Sequence, residues 1–521
     1  MVSTHIPCIL FEDDHLLAIN KPAGIATHRA GEGAPWGIVE FLLNRKPNLF
    51  SLSIHQRLDR ETSGILLFGK SRESNRSLTV QFENHTVRKI YRFITTGNIP
   101  SKIFTVTEPI GGKSAKTHFR FLNKLPNGTT LWEAIAETGR THQVRLHAAQ
   151  HHLPIIGDHW HIGQTREPLL LHAARLEILH PVNQRPLSLE APILPYFEQT
   201  DIQQRCLTAA MILRCSLFDE KETTAYRLIH HEPDGFPSLI VERLGDWLYV
   251  ESFKKTDPIT LNISTELIHQ TAATVFNTKF KGMILSHCSP GARREDKQLL
   301  WGEKPSTDFA ILENGIRYCL DPLAPGGIGL FLDQKENRRR IRNLASGLRI
   351  LNLFAYTCGF SVAAALGGAR ETVNVDLSRH NLEVGRRNFL VNQLDPDQHQ
   401  FLAEDVFKML RRLAARKEHF DIAILDPPSS SRSKTSGHFS VKRDLEKLVR
   451  ATVPLITKGG WLFCAINLTE WKSEAFYTNI QNTIHHTGRI IREKIWMPQP
   501  FDFPVSKIRP AHLKSIWLRL E

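Results

Sequence analysis

What this chain of 521 residues lacks narrows its class before any motif is considered. Its seven cysteines, Cys8, Cys206, Cys215, Cys288, Cys319, Cys358 and Cys464, are scattered, odd in number and never in C-x-x-C spacing. That argues against a disulfide framework and against a zinc or iron–sulfur site, and points to reduced thiols in the cytoplasm. No apolar run approaches the ~18 residues needed to span a bilayer, and no charged-then-apolar leader opens the sequence, so no membrane partner is expected. G-x-G-x-x-G is absent, which removes the dinucleotide fingerprint. No internal repeat and no low-complexity tract is present.

What is there is ordinary globular composition with a strong basic excess. Hydrophobic residues make up 41% and charged residues 23%, and the length predicts about three domains. A formal net charge of +13 and a pI near 9.4 point to a polyanionic partner, because clustered Lys and Arg gain free energy by releasing counterions from phosphates. The plainer alternative is a basic enzyme with no such partner.

The densest chemistry lies in Ile54 to Ser71, IHQRLDRETSGILLFGKS, where Asp59 sits between Arg57 and Arg60. Flanking cations favour the charged form of a carboxylate, which would leave Asp59 available as a nucleophile. The apolar run Ile65 to Phe68 predicts a buried strand, with Ser63 and Gly64 as the turn presenting Asp59 at its edge. A solvated ion pair is the alternative reading of the same residues.

HQRLDRETSG closely resembles the HRLDR-x-TSG block of RluA-type pseudouridine synthases, with Gln56 inserted between the His and the Arg. The resemblance extends to Lys21–His28 (KPAGIATH), to a K-x-Y spacing that contains Tyr91, and to Glu137–His147 (ETGRTHQVRLH) with Arg140, His142 and Arg145. Pro154–Asp158 (PIIGD), Leu171-His172-Ala173 and His180-Pro181 match the blocks that close the fold, so about residues 6 to 198 are covered. The family implies that Asp59 is the nucleophile, that Arg57 supports a flipped-out base and that Tyr91 packs on it and takes part in proton removal. It also implies that Arg145 pairs with Asp59, and that neither metal nor cofactor is used. His147, His151, His152, His159 and His161 are accordingly expected to be RNA-facing or solvated rather than metal ligands. No separate small RNA-binding domain is expected ahead of this block.

Past residue 198, the polar segment EQTDIQQR reads as a linker up to about 215. Tyr226 to Val250 alternates apolar strands with the turn dipeptides Asp234-Gly235 and Gly245-Asp246, predicting a small antiparallel module. From Arg349 onward strands alternate with helices, which predicts a parallel doubly wound sheet whose strand C-termini line a ligand crevice. Ile490–Trp496 and Leu513–Leu520 are read as antiparallel edge strands. Asn352 to Gly359 (NLFAYTCG), including Phe354 and Tyr356, forms the first strand-to-helix turn, with Gly359 permitting close backbone approach. Asp376 ends the second strand, where an acid would bind ribose hydroxyls, Asp405 follows the third, facing an adenine, and Asp426-Pro427-Pro428-Ser429 ends the fourth. Each alone could be a strand-end cap. Together they point to a class I S-adenosylmethionine methyltransferase.

Gly329–Arg338 (GLFLDQKENR), with Asp333 and Gln334, resembles the GxFLDQRxNR block of RlmI/RlmK-type ribosomal RNA methyltransferases, which contributes to the cofactor site. Tyr226–Val250 is similar to their central domain, and the synthase block stands where RlmI-type proteins carry a PUA domain. Residues 338 to 342, RRRIR, are either a phosphate contact or a solvated helix face. The fold class expected is therefore multidomain, α+β and α/β: a mixed-sheet synthase domain over 1–200, a small antiparallel central domain over 216–325 and a doubly wound Rossmann-like domain over 326–521.

These readings combine into a bifunctional RNA-modifying enzyme of the cytoplasm, which isomerises uridine in one half and methylates a base with S-adenosylmethionine in the other. Ribosomal RNA is the expected partner, single-stranded or locally opened so that each base can flip out. The rival is an RNA-binding or assembly factor with one inactive half; Asn352, standing where many methyltransferases carry an acid, leaves the second half the less secure. Cytosine C5 methylation needs a thiolate that adds to the ring. Alignment on Gly459-Gly460 puts Asn467, not Cys464, at the thiol's place in RlmI-type enzymes. Asn467 and Asp426 are thus the candidate catalytic residues there, and an asparagine resembles the RlmK-type guanine enzymes.

Overall fold

Successive side chains of Ser63–Gly69 bury into opposite cores, Ile65 and Leu67 into one and Leu66 and Phe68 into the other, so this strand runs through the middle of a sheet. In the computed structural model that sheet has ten strands. The structure describes residues 6–46, 48–49, 51–97, 101–161, 167–253, 264–288, 297–433, 437–506 and 508–521. Ser63–Gly69 meets Leu171–Leu179 in a short parallel seam, Ser63 opposite His172 and Gly64 opposite Ala173. Ser63 and Gly64 are therefore strand residues rather than the turn expected. Gly64 has φ +112°, and a Cβ there would lie 2.3 Å from the Ala173 carbonyl oxygen, so backbone approach across the seam demands glycine. Arg88–Thr95 pairs on the other side of Leu171–Leu179, with a bulge between Ile90 and Tyr91 that sets Tyr91 opposite Ala173 of the seam.

The linker expected between 198 and 215 is a helix. Ile202–Cys215 is capped by Asp201, whose side chain accepts from Gln204 N at 2.7 Å. Cys206, Leu207, Ala210 and Met211 pack into the central core, whereas Leu213 reaches the N-terminal one. The polar residues read as a linker are the cap and first turn of a helix wedged between two units. The central five-stranded sheet is antiparallel except where Trp247–Phe253 and Gly282–Cys288 run parallel. Thr265–Phe276 lies between those two strands in the chain and makes the crossover that parallel pairing requires.

The C-terminal sheet has seven strands. Gln400–Ala403, Glu371–Asp376, Arg349–Leu353, Phe420–Leu425 and Ile456–Asn467 are parallel and adjacent in that order. Leu513–Leu520 then runs antiparallel between Ile456–Asn467 and Ile491–Met497, so of the two strands expected at the edge it is interior and Ile491–Met497 is the edge. Strand order reverses direction at Arg349–Leu353, and the crevice outside its C-terminus is the switch point where ligands bind in such sheets.

RRRIR is neither a solvated face nor a free phosphate contact. Arg338 donates to both carboxylate oxygens of Glu313 at 2.7 Å, Arg339 donates to the Arg45 carbonyl, Arg342 donates to the Asn314 carbonyl, and Arg340 lies over Trp461 and Trp517. The same helix, Lys335–Leu344, joins the halves, since Glu336 accepts from Arg45 at 2.5 Å and from Asn44 at 3.0 Å.

Candidate active sites

Two separate clefts collect the residues singled out above. The N-terminal cleft has a volume of about 880 Å³ and is lined by Asp59, Arg57, Tyr91, His142 and Arg145, among others. Asp59 stands on the loop just before the seam, and its partner comes from far along the chain. Arg145, on the helix Gln143–Gln150, donates from Nη1 to Asp59 Oδ2 at 3.1 Å. Its other donors grip Asp158, Nε to Oδ2 at 3.0 Å and Nη2 to Oδ1 at 2.6 Å. Arg145 and Asp158 are each 1% exposed and Asp59 27%, so a buried fork holds one face of the Asp59 carboxylate and leaves the rest toward the cleft. Burial opposes charge on both members of the fork, but the hydrogen bonds prevail and lower the Asp158 pKa while raising that of Arg145.

The arginines beside Asp59 in sequence behave differently from expectation. Arg60 turns away, donating to the Gly24 carbonyl at 3.0 Å and the Val505 carbonyl at 3.1 Å, and Arg57 is exposed at the lip. This stretch is loop and turn rather than strand, so its side chains follow no fixed alternation and chain neighbours need not be spatial partners. Tyr91 is half-buried, and burial with the Asp59 charge pushes its pKa up to about 12, keeping it a neutral phenol.

Two residues escaped the sequence reading. Asp158 ends the PIIGD block with no role legible there, yet it orients Arg145. Lys21 is fully buried, its ammonium donating to the carbonyls of Pro22, Ile25 and Arg60 at 3.0, 2.8 and 3.2 Å, and burial pushes its pKa down to about 7. The signal for both was a charged residue inside an otherwise apolar or turn-forming motif. Of the five histidines expected to be RNA-facing or solvated, His147 is buried, bonding the Thr117 hydroxyl at 2.9 Å and the Glu108 carbonyl at 3.0 Å. Among the described residues no His, Cys, Asp and Glu cluster could hold a metal ion.

The C-terminal cleft, of about 540 Å³, opens at the switch point. Asp333, Gln334, Phe354, Tyr356, Asp376, Asp405, Asp426, Pro427 and Asn467 all line it. The turn leaving Arg349–Leu353 puts Phe354, Tyr356 and Cys358 at φ of 59°, 49° and 60°, a costly run for non-glycine residues of the kind that clusters at binding sites. Asp376 Oδ2 accepts from Tyr356 N at 2.9 Å and so fixes that turn. Asp405 caps the helix Val406–Ala415, accepting from Lys408 N at 3.1 Å. Asp333 is held by His512 at 3.0 Å. Burial, with the nearby Asp333 charge, pushes Asp426 up to about 7.

Asn352 and Gly359 do not reach the cavity. Asn352 is buried and donates to the Ser361 hydroxyl at 2.8 Å, because its place in the strand turns it toward the helix that follows. Gly359 lies against Leu330, which a Cβ would meet at 3.0 Å, so its smallness serves packing. The remaining set suits S-adenosylmethionine: Phe354, Phe407 and Phe439 give apolar ring faces for an adenine, strand-end carboxylates accept from hydroxyls, and acids balance a sulfonium.

Two family models match the chain, one over each half. The family model described as S-adenosylmethionine-dependent methyltransferase matches residues 226–489, and that described as RNA pseudouridylate synthase matches 15–150. The ribosomal RNA large subunit methyltransferase I of Aeromonas salmonicida is 30% identical over 325 residues, 61% of this chain and 80% of that protein. The ribosomal large subunit pseudouridine synthase C of Vibrio cholerae is 36% identical over 221 residues, 38% of this chain and 69% of that protein. Among solved structures, a SAM-dependent methyltransferase from Streptococcus mutans is 26% identical with a TM-score of 0.53, covering 66% of this chain and 87% of its own. The methyltransferase SMU.776, complexed with SAH, gives the same figures. With its synthase match ahead of its methyltransferase match, the chain belongs to two enzyme families at once, the RNA pseudouridylate synthases and the S-adenosylmethionine-dependent methyltransferases.

Proposed function

We propose that both halves are active, that both act on large-subunit ribosomal RNA in the cytoplasm, and that the methylated base is guanine. Residues 1–200, 216–325 and 326–521 are the synthase, central and methyltransferase domains of this reading, with the helix Ile202–Cys215 joining the first two. What carries it is the assembly of distant groups in each cleft: the Asp158–Arg145–Asp59 chain in one and the ring of strand-end acids in the other.

In the first cleft Asp59 is the nucleophile that attacks the uridine and is released again, the N1–C1′ bond breaking, a C5–C1′ bond forming, and the C5 proton leaving while N1 takes one up. Arg145 holds that carboxylate in line, Arg57 supports the flipped-out state, and the neutral Tyr91 ring gives the base a stacking face. In the second, Asp333, Gln334, Phe354, Tyr356, Asp376, Asp405 and Pro427 would hold S-adenosylmethionine, which when bound supplies a methyl group on a sulfonium. Asn467 hydrogen-bonds the purine edge, and for transfer to the exocyclic amine Asp426 takes the proton released. Asp376→Ala should weaken S-adenosylmethionine binding by roughly 1–3 kcal/mol, the cost of leaving a hydroxyl donor unpaired and the Tyr356 turn untied. Calorimetry checks this, and an unchanged dissociation constant would count against the assignment.

Asp426 adds a pH signature. A carboxyl pushed up to about 7 is protonated, and useless as a base, below that pH. The methylation rate at limiting RNA should therefore rise as pH increases through about 7 and then level off, whereas a profile flat between about pH 5.5 and about pH 8.5 would remove Asp426 as the base.

Cys464 separates guanine from cytosine chemistry. It is fully buried within Ile456–Asn467, on the same face as Leu462 and Ile466, and burial followed by the Asp426 charge pushes its pKa far up. Asn467 instead lines the cavity. Cys464→Ala should keep methylating, and RNA containing 5-fluorocytosine should give no covalent adduct. An adduct that disappears in that variant would restore the cytosine reading.

A further inference from the structure

A third cavity, of about 260 Å³, lies between the two halves and takes its walls from both. One wall is the loop from Gly24 to Trp36 together with Arg60; the other is the stretch from Trp496 to Val505 with Ala511 to Ser515. Ala26, His28, Ala30 and Arg60 line this cavity and the Asp59 cleft alike, and Leu513 lines both this cavity and the S-adenosylmethionine cleft. The three cavities thus adjoin in series, with the synthase site at one end and the methyltransferase site at the other. The joint is held by named contacts: Arg60 donates to the Val505 carbonyl at 3.1 Å, Lys494 pairs with Glu32 at 3.0 Å, and Phe41 packs edge-on against Phe501 with centroids 5.5 Å apart.

The wall chemistry selects the occupant. Trp36 and Trp496 are only partly buried, and Arg29 and Arg60 are exposed beside them. Aromatic faces interleaved with guanidinium groups, in a chain of net charge +13, are what a single-stranded polynucleotide needs, bases stacking on rings while phosphates meet cations. We propose that this middle cavity carries the stretch of single-stranded RNA connecting the nucleotide in the Asp59 cleft to the nucleotide in the S-adenosylmethionine cleft, so that both modifications are made on one strand held across both halves. The proposal rests on the reading that both clefts act on RNA bases.

The test uses the full-length protein, an unmodified large-subunit rRNA transcript as probe, and Arg29→Glu, a change at an exposed residue outside both sets of reacting groups. We expect RNA affinity, and the rates of pseudouridine formation and methylation at limiting RNA, to fall together by roughly tenfold, with the S-adenosylmethionine dissociation constant and thermal unfolding unchanged. Irradiating the unsubstituted complex made with 4-thiouridine transcript should crosslink RNA to peptides containing Trp36 or Trp496. Cutting the transcript between the two mapped nucleotides should slow both reactions by a similar factor. Unaltered rates after the cut, or loss of only one activity in Arg29→Glu, would overturn the single-strand path, as would crosslinks confined to the two end clefts. If instead the unsubstituted protein makes neither modification, the functional reading itself fails, while the affinity and crosslinking results still say whether RNA occupies the middle cavity.

Discussion

Asp59→Asn should abolish pseudouridine formation and leave methylation at its unsubstituted rate. The side chain keeps its size, so the loop before the seam has no steric reason to move. The bidentate Arg145–Asp158 pair beneath it also stays intact. What is lost is the nucleophile, because an amide oxygen does not add to a sugar or base as a carboxylate does. Asp59 is partly exposed, so folding stability should change by no more than about 0.5 kcal/mol. Pseudouridine mapping and methyl incorporation on the same rRNA, with thermal unfolding as control, check all three statements. Loss of methylation alongside would mean that the two sites are not chemically independent.

Arg338→Met should destabilise the C-terminal half by about 3–5 kcal/mol, the usual cost of breaking a buried pair from one side. Arg338 and Glu313 side chains are 3% and 1% exposed, and two parallel hydrogen bonds of 2.7 Å join them. Removing the guanidinium strands a carboxylate with no water to receive it and takes the donor from the Phe331 carbonyl. That carbonyl begins the turn presenting Asp333 and Gln334, so S-adenosylmethionine affinity should fall too. Urea unfolding followed by tryptophan fluorescence measures the first effect and calorimetry the second. Arg338→Met combined with Glu313→Leu should recover most of the lost stability, since no buried charge then remains. A loss under about 1 kcal/mol in the single variant would show that water reaches Glu313.

The parts legible without a structure are those carried by local patterns. The βαβ alternation after Arg349 predicts the parallel sheet, because strand and helix periods are properties of short segments. Strand-end placement brings Asp376, Asp405 and Asp426 to one cavity for the same reason. The match of motif blocks located Asp59, Tyr91 and Arg145 in one cleft.

Where local reading misled, a distant partner had decided the matter. Arg57 and Arg60 look like the cations of Asp59, but Arg57 is exposed, Arg60 donates to the Gly24 and Val505 carbonyls, and Arg145 takes their place. RRRIR looks like a phosphate contact or a solvated face because its acceptors, Glu313, the Arg45 carbonyl and the Asn314 carbonyl, lie elsewhere in the chain. EQTDIQQR looks like a linker because the apolar face of Ile202–Cys215 shows its use only once two cores close on it. Asn352 and Gly359 look like cofactor residues until the following helix claims them. By itself, then, the sequence determined the two families, the order of elements and the strand-end acids, all set by short-range stereochemistry. Only the tertiary structure decided which charges are paired, which glycine serves the seam, and that the two clefts adjoin through a common cavity, since burial and ion pairing depend on groups that meet only in the folded chain.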